Sequence, residues 1–338
     1  MAEPKPSLEE LARSSRRALV MGNGGGGDVI QGIPIANYLL LLGVEEVIFG
    51  GINCAWIDDQ TGAPQEETSS RPDPATFVLG PTIYDLDALT NAVRVAPAIA
   101  EISKDTRLHG HLTGESVVCA QRNARAIVIG MGEGVPTAVR DVNAWLESED
   151  IDLVVSTDVG SDSFYSGEET CPAHTPLADF LTIGLLTKLA RPAVFSLGGY
   201  GLDGELLHHE LERNISIAMR NGGFLGAHGM TQRDVIEMEE ACSIYADPIQ
   251  VYVARAARGE FGWYSVRTLG PWGQPIHVTP LAATMLFFDP KVLAEHVCVA
   301  VPEIAEATSL RDAEDSYERR HGVPAETRLI KVARLRAT

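Results

Sequence analysis

Short apolar runs, many rich in β-branched residues, recur along the chain and are separated by longer stretches with helical spacing. The runs lie at residues 18–21, 46–50, 76–79, 126–130, 153–156 and 193–197. Strands that are buried on both faces are continuous apolar runs, and strands that alternate with helices build a parallel sheet. The sequence therefore predicts a doubly wound, Rossmann-like α/β fold with a mainly parallel sheet of five or six strands, helices on both faces and a small C-terminal extension.

The stretches between these runs predict the helices. Helical spacing is found over 85–102, 136–149 and 205–221, and Thr231 with Asp234 at the reciprocal position predicts the start of another helix that runs toward Tyr245. Pro34 predicts that the helix after the first strand begins only near Gly32.

The domain boundaries follow from the same patterns. Residues 1–16 are expected to form an arm, and 17–338 a single α/β domain. β-rich runs at 277–279 and 285–288 and an apolar run at 329–332 indicate a β-rich C-terminal elaboration that starts at about residue 259.

Composition excludes several classes of function. The chain has 27 Lys and Arg against 46 Asp and Glu, a net charge of -19 that repels a nucleic-acid backbone. The 5 Cys are scattered and form no CxxC pair, which argues against a disulfide framework or a structural zinc site. No apolar stretch is long enough to span a membrane, and the N-terminus lacks the apolar core of a secretion signal. We expect a cytoplasmic protein with no nucleic-acid or membrane partner. We also expect a homodimer, because homodimers are the commonest soluble oligomers.

A glycine-rich turn follows the first strand. Residues 22–28 are GNGGGGD, and glycine loses more backbone freedom on folding than any other residue. Such a turn is typical of a site where a ligand approaches the backbone, because its N–H groups and the next helix N-terminus bind anions. The residues predicted to bind a phosphate or carboxylate are Asn23, Gly24, Gly25, Gly26 and Gly27. Asp28 is a candidate for proton transfer or, alternatively, a helix cap.

A second turn, TDVGSD, follows the run at 153–156. Asp158 and Asp162 can converge across its glycine, and two carboxylates at a strand end favour Mg²⁺ or Mn²⁺, or else divide acid and base roles. We predict both as catalytic residues and metal ligands, with turn formation or capping as the alternative. Downstream, Glu168 is a candidate to close over a ligand and His174 a candidate proton carrier.

A third turn, GGYGLDGE, follows the run at 193–197. Asp203 is either catalytic or the N-cap of the next helix, and Glu205 either binds substrate or complements the helix dipole. The turn GMGEG contributes Glu133 in the same way, and His228 lies in a flexible turn that reaches toward the site. Because each of these turns except that of His228 follows a parallel strand, we expect their acids to meet at one edge of the sheet.

Three of these motifs together resemble the uncharacterised domain-of-unknown-function 1152 family. They are the GGGGDV loop, the TDVGSD turn with the later GEE and TPLAD, and the GLDGEL helix start, spanning roughly residues 17–288. The resemblance implies a single α/β domain and no settled activity. The family pattern is DVGGD, so Ser161 is a departure from it.

The leading hypothesis is a hydrolase that acts on a small polar, anionic or nucleoside-like metabolite, assisted by Mg²⁺ or Mn²⁺ and without an organic cofactor. A lyase or cyclase that uses the same acids without metal is one alternative, and a non-catalytic metabolite sensor is another. In a biosynthetic enzyme with a bulky apolar substrate, Trp263, Tyr264 and Trp272 would line the pocket, although such residues more often pack in a core.

Overall fold

The computed structural model describes residues 5–55, 83–245, 248–264 and 275–328. The predicted strand at 76–79, the apolar run at 329–332 and Trp272 lie outside these residues. The described helices are α1 (Leu8–Arg13), α2 (Asp28–Leu41), α3 (Gly114–Arg122), α4 (Gly134–Ser148), α5 (Pro176–Thr187), α6 (His208–Arg220), α7 (Gln232–Ile244), α8 (Pro248–Ala257), α9 (Pro290–His296), α10 (Val301–Ile304) and α11 (Leu310–His321).

The described strands fall into one large sheet and two small ones. They are β1 (Arg17–Gly22), β2 (Glu46–Ile52), β3 (Leu89–Thr90), β4 (Val93–Ala96), β5 (Ile99–Ile102), β6 (Arg107–Leu108), β7 (His111–Leu112), β8 (Ala126–Ile129), β9 (Leu153–Val159), β10 (Ala193–Gly198), β11 (Phe224–Gly229), β12 (Gly262–Tyr264), β13 (Ile276–Val278) and β14 (Thr284–Phe288).

The main sheet has nine strands in the order β11-β14-β10-β9-β1-β2-β8-β5-β4. Its five central strands, from β10 to β8, are parallel to one another. At each edge two further strands are added by antiparallel pairing, β14 and β11 beside β10, and β5 and β4 beside β8. From β1 the chain first builds toward β2 and β8, and then returns to the other side of β1 with β9 and β10. This reversal confirms the predicted doubly wound, Rossmann-like fold, and it places the crevice where ligands bind in such sheets between the carboxyl ends of β1 and β9.

Helices cover both faces of the sheet and enclose two apolar cores. One core lies under α2, α3, α7 and α8 and includes Ile30, Val117 and Val253. The other lies under α4, α5, α6 and the C-terminal helices and includes Val142, Phe180 and Ile304. No helix among the described residues has both the length and the apolar character needed to cross a membrane.

The predicted helix over 85–102 is wrong. Apart from one 3₁₀ turn at Leu86–Ala88, this stretch forms the short strands β3, β4 and β5, and β5 pairs antiparallel with β8. Asn91 adopts a left-handed conformation at φ 57, and Pro97 cannot continue a helix. These two breaks leave segments too short for helices, and their β-branched residues pair as strands instead.

Three further boundaries differ from the sequence prediction. Helix α2 begins at Asp28 and carries Pro34 inside it, because burial of the helix against the sheet compensates for the hydrogen bond that proline removes. Helix α6 begins at His208 and not near Glu205. The residues after β14 are helical and not β-rich, and α9, α10 and α11 pack into the same core as α5.

Candidate active site

Six carboxyl groups converge at the carboxyl ends of β1, β9 and β10. Each has a solvent exposure of 8% or less, although five different segments supply them. They form two triads, in each of which three carboxylate oxygens lie within 4.8 Å of one another. The first triad is Asp28, Asp158 and Asp179, and the second triad is Asp162, Asp203 and Glu205.

The first triad is assembled by one strand and two helix N-termini. Asp158 is on β9, Asp28 is the first residue of α2, and Asp179 lies in the first turn of α5. Asn23 links α5 to β9, because its side-chain Nδ2 donates to Asp179 Oδ1 at 2.7 Å and its side-chain Oδ1 accepts from Ser156 Oγ at 2.9 Å. The predicted convergence of the glycine turn with the β9 turn is therefore present in the structure.

The glycine turn wraps around Asp28. The amides of Gly24 and Gly25 donate to Asp28 Oδ2 at 2.8 and 3.1 Å, and the Gly26 amide donates to the Cys54 carbonyl at 3.3 Å. A Cβ on Gly24 would lie 2.9 Å from Asp179 Oδ2, so the acids themselves require glycine there. These amides hold a carboxylate of the chain itself, and the prediction that they bind a ligand anion remains untested.

The second triad is held by the turn after β9. The amides of Ser161 and Asp162 donate to Asp203 Oδ2 at 2.8 and 3.1 Å, and Ser161 Oγ donates to Asp203 Oδ1 at 2.6 Å. Gly160 has φ 144, and a Cβ there would lie 2.5 Å from Asp203 Cγ. The Ser161 hydroxyl thus adds a hydrogen bond to the triad.

Glu205 is bound at the entrance to α5. The amides of His174 and Thr175 donate to Glu205 Oε2 at 2.6 and 3.1 Å, and the Thr175 hydroxyl donates to Glu205 Oε1. The same hydroxyl lies 2.9 Å from Asp162 Oδ2. A hydroxyl has one proton, so both contacts are hydrogen bonds only when one of the two carboxyl groups keeps its own proton.

Burial is the main reason why the pKa values of five of the six acids, Asp158, Asp162, Asp179, Asp203 and Glu205, are raised. It raises the pKa of Asp158 to about 7, where the charge of Asp203 adds to the effect and the Ser163 hydroxyl opposes it. It raises the pKa of Glu205 to about 8, with the charge of Asp203 next in importance. The pKa values of Asp162 and Asp179 are well above the usual range for the same reason, since charges of the neighbouring acids add to burial.

Basic side chains do not relieve this repulsion. Among the residues that the structure describes, none of the five acids other than Asp28 forms an ion pair with Lys, Arg or His. Each of these buried carboxyl groups is therefore stable either when it is protonated or when a cation from outside the chain binds to it.

A comparison with family models adds to this geometry. The model described as "Protein of unknown function (DUF1152)" matches residues 78–330. The chain belongs to this family. The match confirms the resemblance and extends past residue 288 to α11, whereas the glycine turn lies before its start. Neither a curated protein nor a solved structure gives a match to the chain.

The other predicted site residues of this DUF1152 protein lie in varied positions. His174 is beside Glu205, and burial lowers the pKa of its imidazole. Glu133 and Glu168 are exposed, and no hydrogen bond among the described residues joins their side chains to either triad. In the loop that carries Glu168, the acid with a buried side chain is Glu169. Its carboxylate accepts hydrogen bonds from Ser166 and Asn214 and thereby fixes the loop.

The prediction for His228 is wrong. The residue lies in β11, and its ring stacks on Tyr38 with the centroids 3.6 Å apart. Tyr38 is near the C-terminal end of α2, about 15 Å along the helix from Asp28 at the usual rise per residue. The β-sheet pairing of β11 with β14 fixes His228 there, and no hydrogen bond among the described residues joins it to either triad.

The predicted N-cap role of Asp203 is also wrong, because α6 starts five residues later and Leu207 occupies the cap position. Asp158 and Asp162, predicted to share one metal, fall into the two neighbouring triads. Of the aromatic candidates for a bulky substrate, Trp263 is 69% exposed and stacks on His277 in the hairpin of β12 and β13.

Sequence reasoning missed Asp179, Ser163 and Thr175. Asp179 is the one charged residue in the apolar helix α5, and a lone carboxyl group in a buried helix is the signal that identifies it. Ser163 and Thr175 have no comparable signal, because hydroxyl residues are common in turns and their contacts with Asp158 and Glu205 exist only in the folded chain.

Proposed function

We propose that the protein is a hydrolase that uses Mg²⁺ or Mn²⁺ to act on a small polar or anionic metabolite. The proposal rests on one observation: two buried carboxylate triads lie side by side, and five of the six acids form no ion pair among the described residues. Hard divalent cations prefer oxygen ligands, and the two triads offer carboxylates from rigid strand and helix ends. Location in the cytoplasm and a homodimer remain part of the proposal.

The role of a cation follows from the charge of the site. A divalent cation lowers the pKa of a bound water and attracts substrate oxygens that a purely acidic pocket would repel. On this proposal Asp158, Asp179 and Asp28 would hold the cation, and the amides of Gly24 and Gly25 fix the position of the Asp28 carboxylate. Asp203 and Glu205 serve the second triad, where the turn after β9 orients Asp203.

Hydrolysis needs a base and an acid in one site. The oxygen of water bonds to carbon or phosphorus of the substrate, and the bond to the leaving oxygen or nitrogen breaks. A carboxylate accepts the proton of the water, and a protonated carboxyl group gives a proton to the leaving atom. Asp203, which the amides of Ser161 and Asp162 hold beside Glu205, suits the first role, and Glu205, whose pKa burial raises to about 8, suits the second.

The second candidate is a lyase or cyclase that uses these acids without a metal. It is favoured by the contacts of Thr175, which require a retained proton on Asp162 or Glu205. A site that keeps protons on some acids and not on others can exchange them with a substrate directly.

Isotopic labelling separates the candidates. The purified protein is incubated with a metabolite extract in H₂¹⁸O, with Mn²⁺ and separately with a chelator, and the products are identified by mass spectrometry. We expect a product that contains ¹⁸O, made only with Mn²⁺, by the wild type and by Glu149→Gln, but not by Asp158→Asn. Glu149 is a matched control because it is an acid at the opposite edge of the sheet.

The other outcomes identify the alternatives. A product without ¹⁸O that forms in the chelator would overturn the hydrolase and support the lyase or cyclase. A metabolite that binds and is recovered unchanged under both conditions would overturn catalysis and support a sensor.

A further inference from the structure

Tyr317 of α11 lies against the part of the molecule that carries the triads. Its side chain is 1% exposed, its ring is 6.1 Å from that of Phe180, and Phe180 directly follows Asp179 in α5. One turn later, His321 packs 4.8 Å from Tyr165, at the end of the turn that carries Asp162. Helix α11 thus contacts the two segments that supply Asp179 of the first triad and Asp162 of the second triad.

The hydroxyl of Tyr317 has no hydrogen-bond partner among the residues that the structure describes. A buried hydroxyl without a partner costs free energy, and native proteins leave few such groups without a reason. Replacing the tyrosine by phenylalanine would keep the ring packing and avoid this cost. The hydroxyl therefore indicates a contact with something outside the chain.

Other donors near the two triads already serve their carboxylates. Ser161 donates to Asp203, Ser163 to Asp158 and Thr175 to Glu205, and the amides of Ser161, Asp162, His174 and Thr175 do the same. A substrate oxygen that carries negative charge needs a donor of its own. Tyr317 is a buried donor in this region whose proton is uncommitted.

Electrostatics keep the phenol protonated. Burial raises the pKa of Tyr317 well above its usual range, and the charges of Tyr165, Glu326, Glu205 and Asp162 raise it further. The group therefore remains a donor at every pH near neutrality.

The C-terminal segment holds Tyr317 in place. Glu326 accepts from the amides of Leu177 and Ala178 at the start of α5, at 3.1 and 3.3 Å. Arg328 forms ion pairs at 2.8 Å with Glu314 and Glu318 of α11. These contacts tie α11 to the helix that carries Asp179, and so they fix the distance between the phenol and the acids.

We propose that the Tyr317 hydroxyl is a substrate-binding group of this site, which donates a hydrogen bond to an oxyanion of the substrate, such as a phosphoryl or carboxylate oxygen, held beside the second triad. This inference rests on the proposed function, because an oxyanion enters an acidic site only together with a cation. It assigns to α11 a direct part in recognition.

The test uses Mg²⁺ and inorganic phosphate as probes of the full-length protein. Calorimetry measures Mg²⁺ binding first, and then phosphate binding in the presence of Mg²⁺, for the wild type, Tyr317→Phe and Tyr38→Phe. Tyr38 is a matched control, since it is also a buried helical tyrosine, but its hydroxyl donates to Glu9 at 2.5 Å.

We expect Tyr317→Phe to bind Mg²⁺ as the wild type does and to bind phosphate at least about tenfold more weakly, as is typical when a hydrogen bond to a charged group is lost. Its melting temperature should equal or exceed that of the wild type, whereas Tyr38→Phe should melt lower and bind phosphate normally.

Three results would overturn the inference. They are equal phosphate affinity in Tyr317→Phe and the wild type, no phosphate binding to a Mg²⁺-loaded wild type, and a loss of stability in Tyr317→Phe as large as in Tyr38→Phe. Absence of Mg²⁺ binding to the wild type would instead remove the cation on which the proposed function depends, and the inference would fall with it. The first titration therefore distinguishes the two failures.

Discussion

The acids at the two ends of the parallel strands differ in whether they have a counter-ion and in the direction of their pKa shift. At the amino ends, Arg17 pairs with Glu46 at 2.9 Å, and Arg125 pairs with Glu149 at 2.6 Å and with Glu101 at 3.3 Å. Arg125, by its hydrogen bond first and its charge in addition, lowers the pKa of Glu149 despite partial burial. These acids have their counter-ions within the chain.

At the carboxyl ends the acids are more deeply buried and their pKa values are raised. Asp158 and Glu205 reach about 7 and 8, and burial is the first cause in both. The difference shows that sequence composition alone does not define an acidic site, because both edges are rich in carboxylates. A missing counter-ion combined with burial distinguishes the edge suited to ligands from the edge that supports the fold.

The largest expected difference between the edges is in turnover. With the substrate found by labelling, Asp158→Asn should lower kcat by at least about 100-fold, because it removes a ligand of the cation that activates the water, and proton transfer from that water contributes that much or more. Glu149→Gln should leave kcat unchanged, as its carboxylate only pairs with arginine. Steady-state kinetics measures both values, and an equal loss of kcat in the two variants would contradict the difference between the edges.

The next effect is on stability, with opposite signs at the two edges. Without divalent cations at about pH 8, Asp158→Asn should raise the free energy of unfolding by about 1 to 3 kcal/mol, because it removes a buried charge that has no counter-ion. Glu149→Gln should lower it by up to about 1 kcal/mol, as for a partly exposed ion pair. Urea unfolding measures both, and a destabilised Asp158→Asn protein would contradict the electrostatic account.

The dependence of stability on pH gives a third contrast. A raised pKa means that the folded state binds more protons than the unfolded state, so stability falls as pH rises from the unfolded pKa near 4 to the folded value of about 7 for Asp158. The slope is at most about 1.4 kcal/mol per pH unit for each group. For Glu149 the sign is reversed, and its contribution is lost as pH falls through the lowered pKa.

Unfolding curves between about pH 5 and pH 8 test this contrast. Relative to the wild type, Asp158→Asn should flatten the decline with rising pH, and Glu149→Gln should not. A wild-type protein whose stability increases throughout this range, with Asp158→Asn parallel to it, would show that Asp158 is ionised in the folded protein.

The smallest expected effect is that of salt. Raising NaCl to about 1 M screens exposed pairs much more than buried groups. The stability difference between Glu149→Gln and the wild type should therefore shrink by about half or more, while the difference for Asp158→Asn should change little. Equal salt dependence in the two variants would place Asp158 in contact with solvent.

The parallel sheet and the clustering of acids at one of its edges were predictable from the sequence. β1, β9 and β10 are buried on both faces and therefore leave continuous apolar runs, and the turns after them must emerge at one edge. Asp28, Asp158, Asp162, Asp203 and Glu205 were identified on that ground, and the structure brings them together.

Other features were not predictable because they depend on contacts between distant residues. The stretch at 85–102 has helical spacing, but Asn91 and Pro97 divide it into short strands, of which β5 pairs with β8, β4 with β5, and β3 with β6. The sequence around Asp203 is typical of a helix cap, but in the folded chain the amides of Ser161 and Asp162 donate to its carboxylate. The position of Tyr317 beside the acids depends on how α11 packs, and no local pattern encodes that packing.

The most direct test of the central claim is a calorimetric titration of the wild type with Mn²⁺ at about pH 7, in two buffers of different ionisation enthalpy. If the triads keep protons that a cation displaces, Mn²⁺ should bind with release of about one proton or more. Asp158→Asn should lose this binding, and Glu149→Gln should retain it. The claim is that these acids bind a cation from outside the chain. It would be contradicted if Mn²⁺ did not bind to the wild type. It would also be contradicted if Mn²⁺ bound without proton release and bound equally to Asp158→Asn.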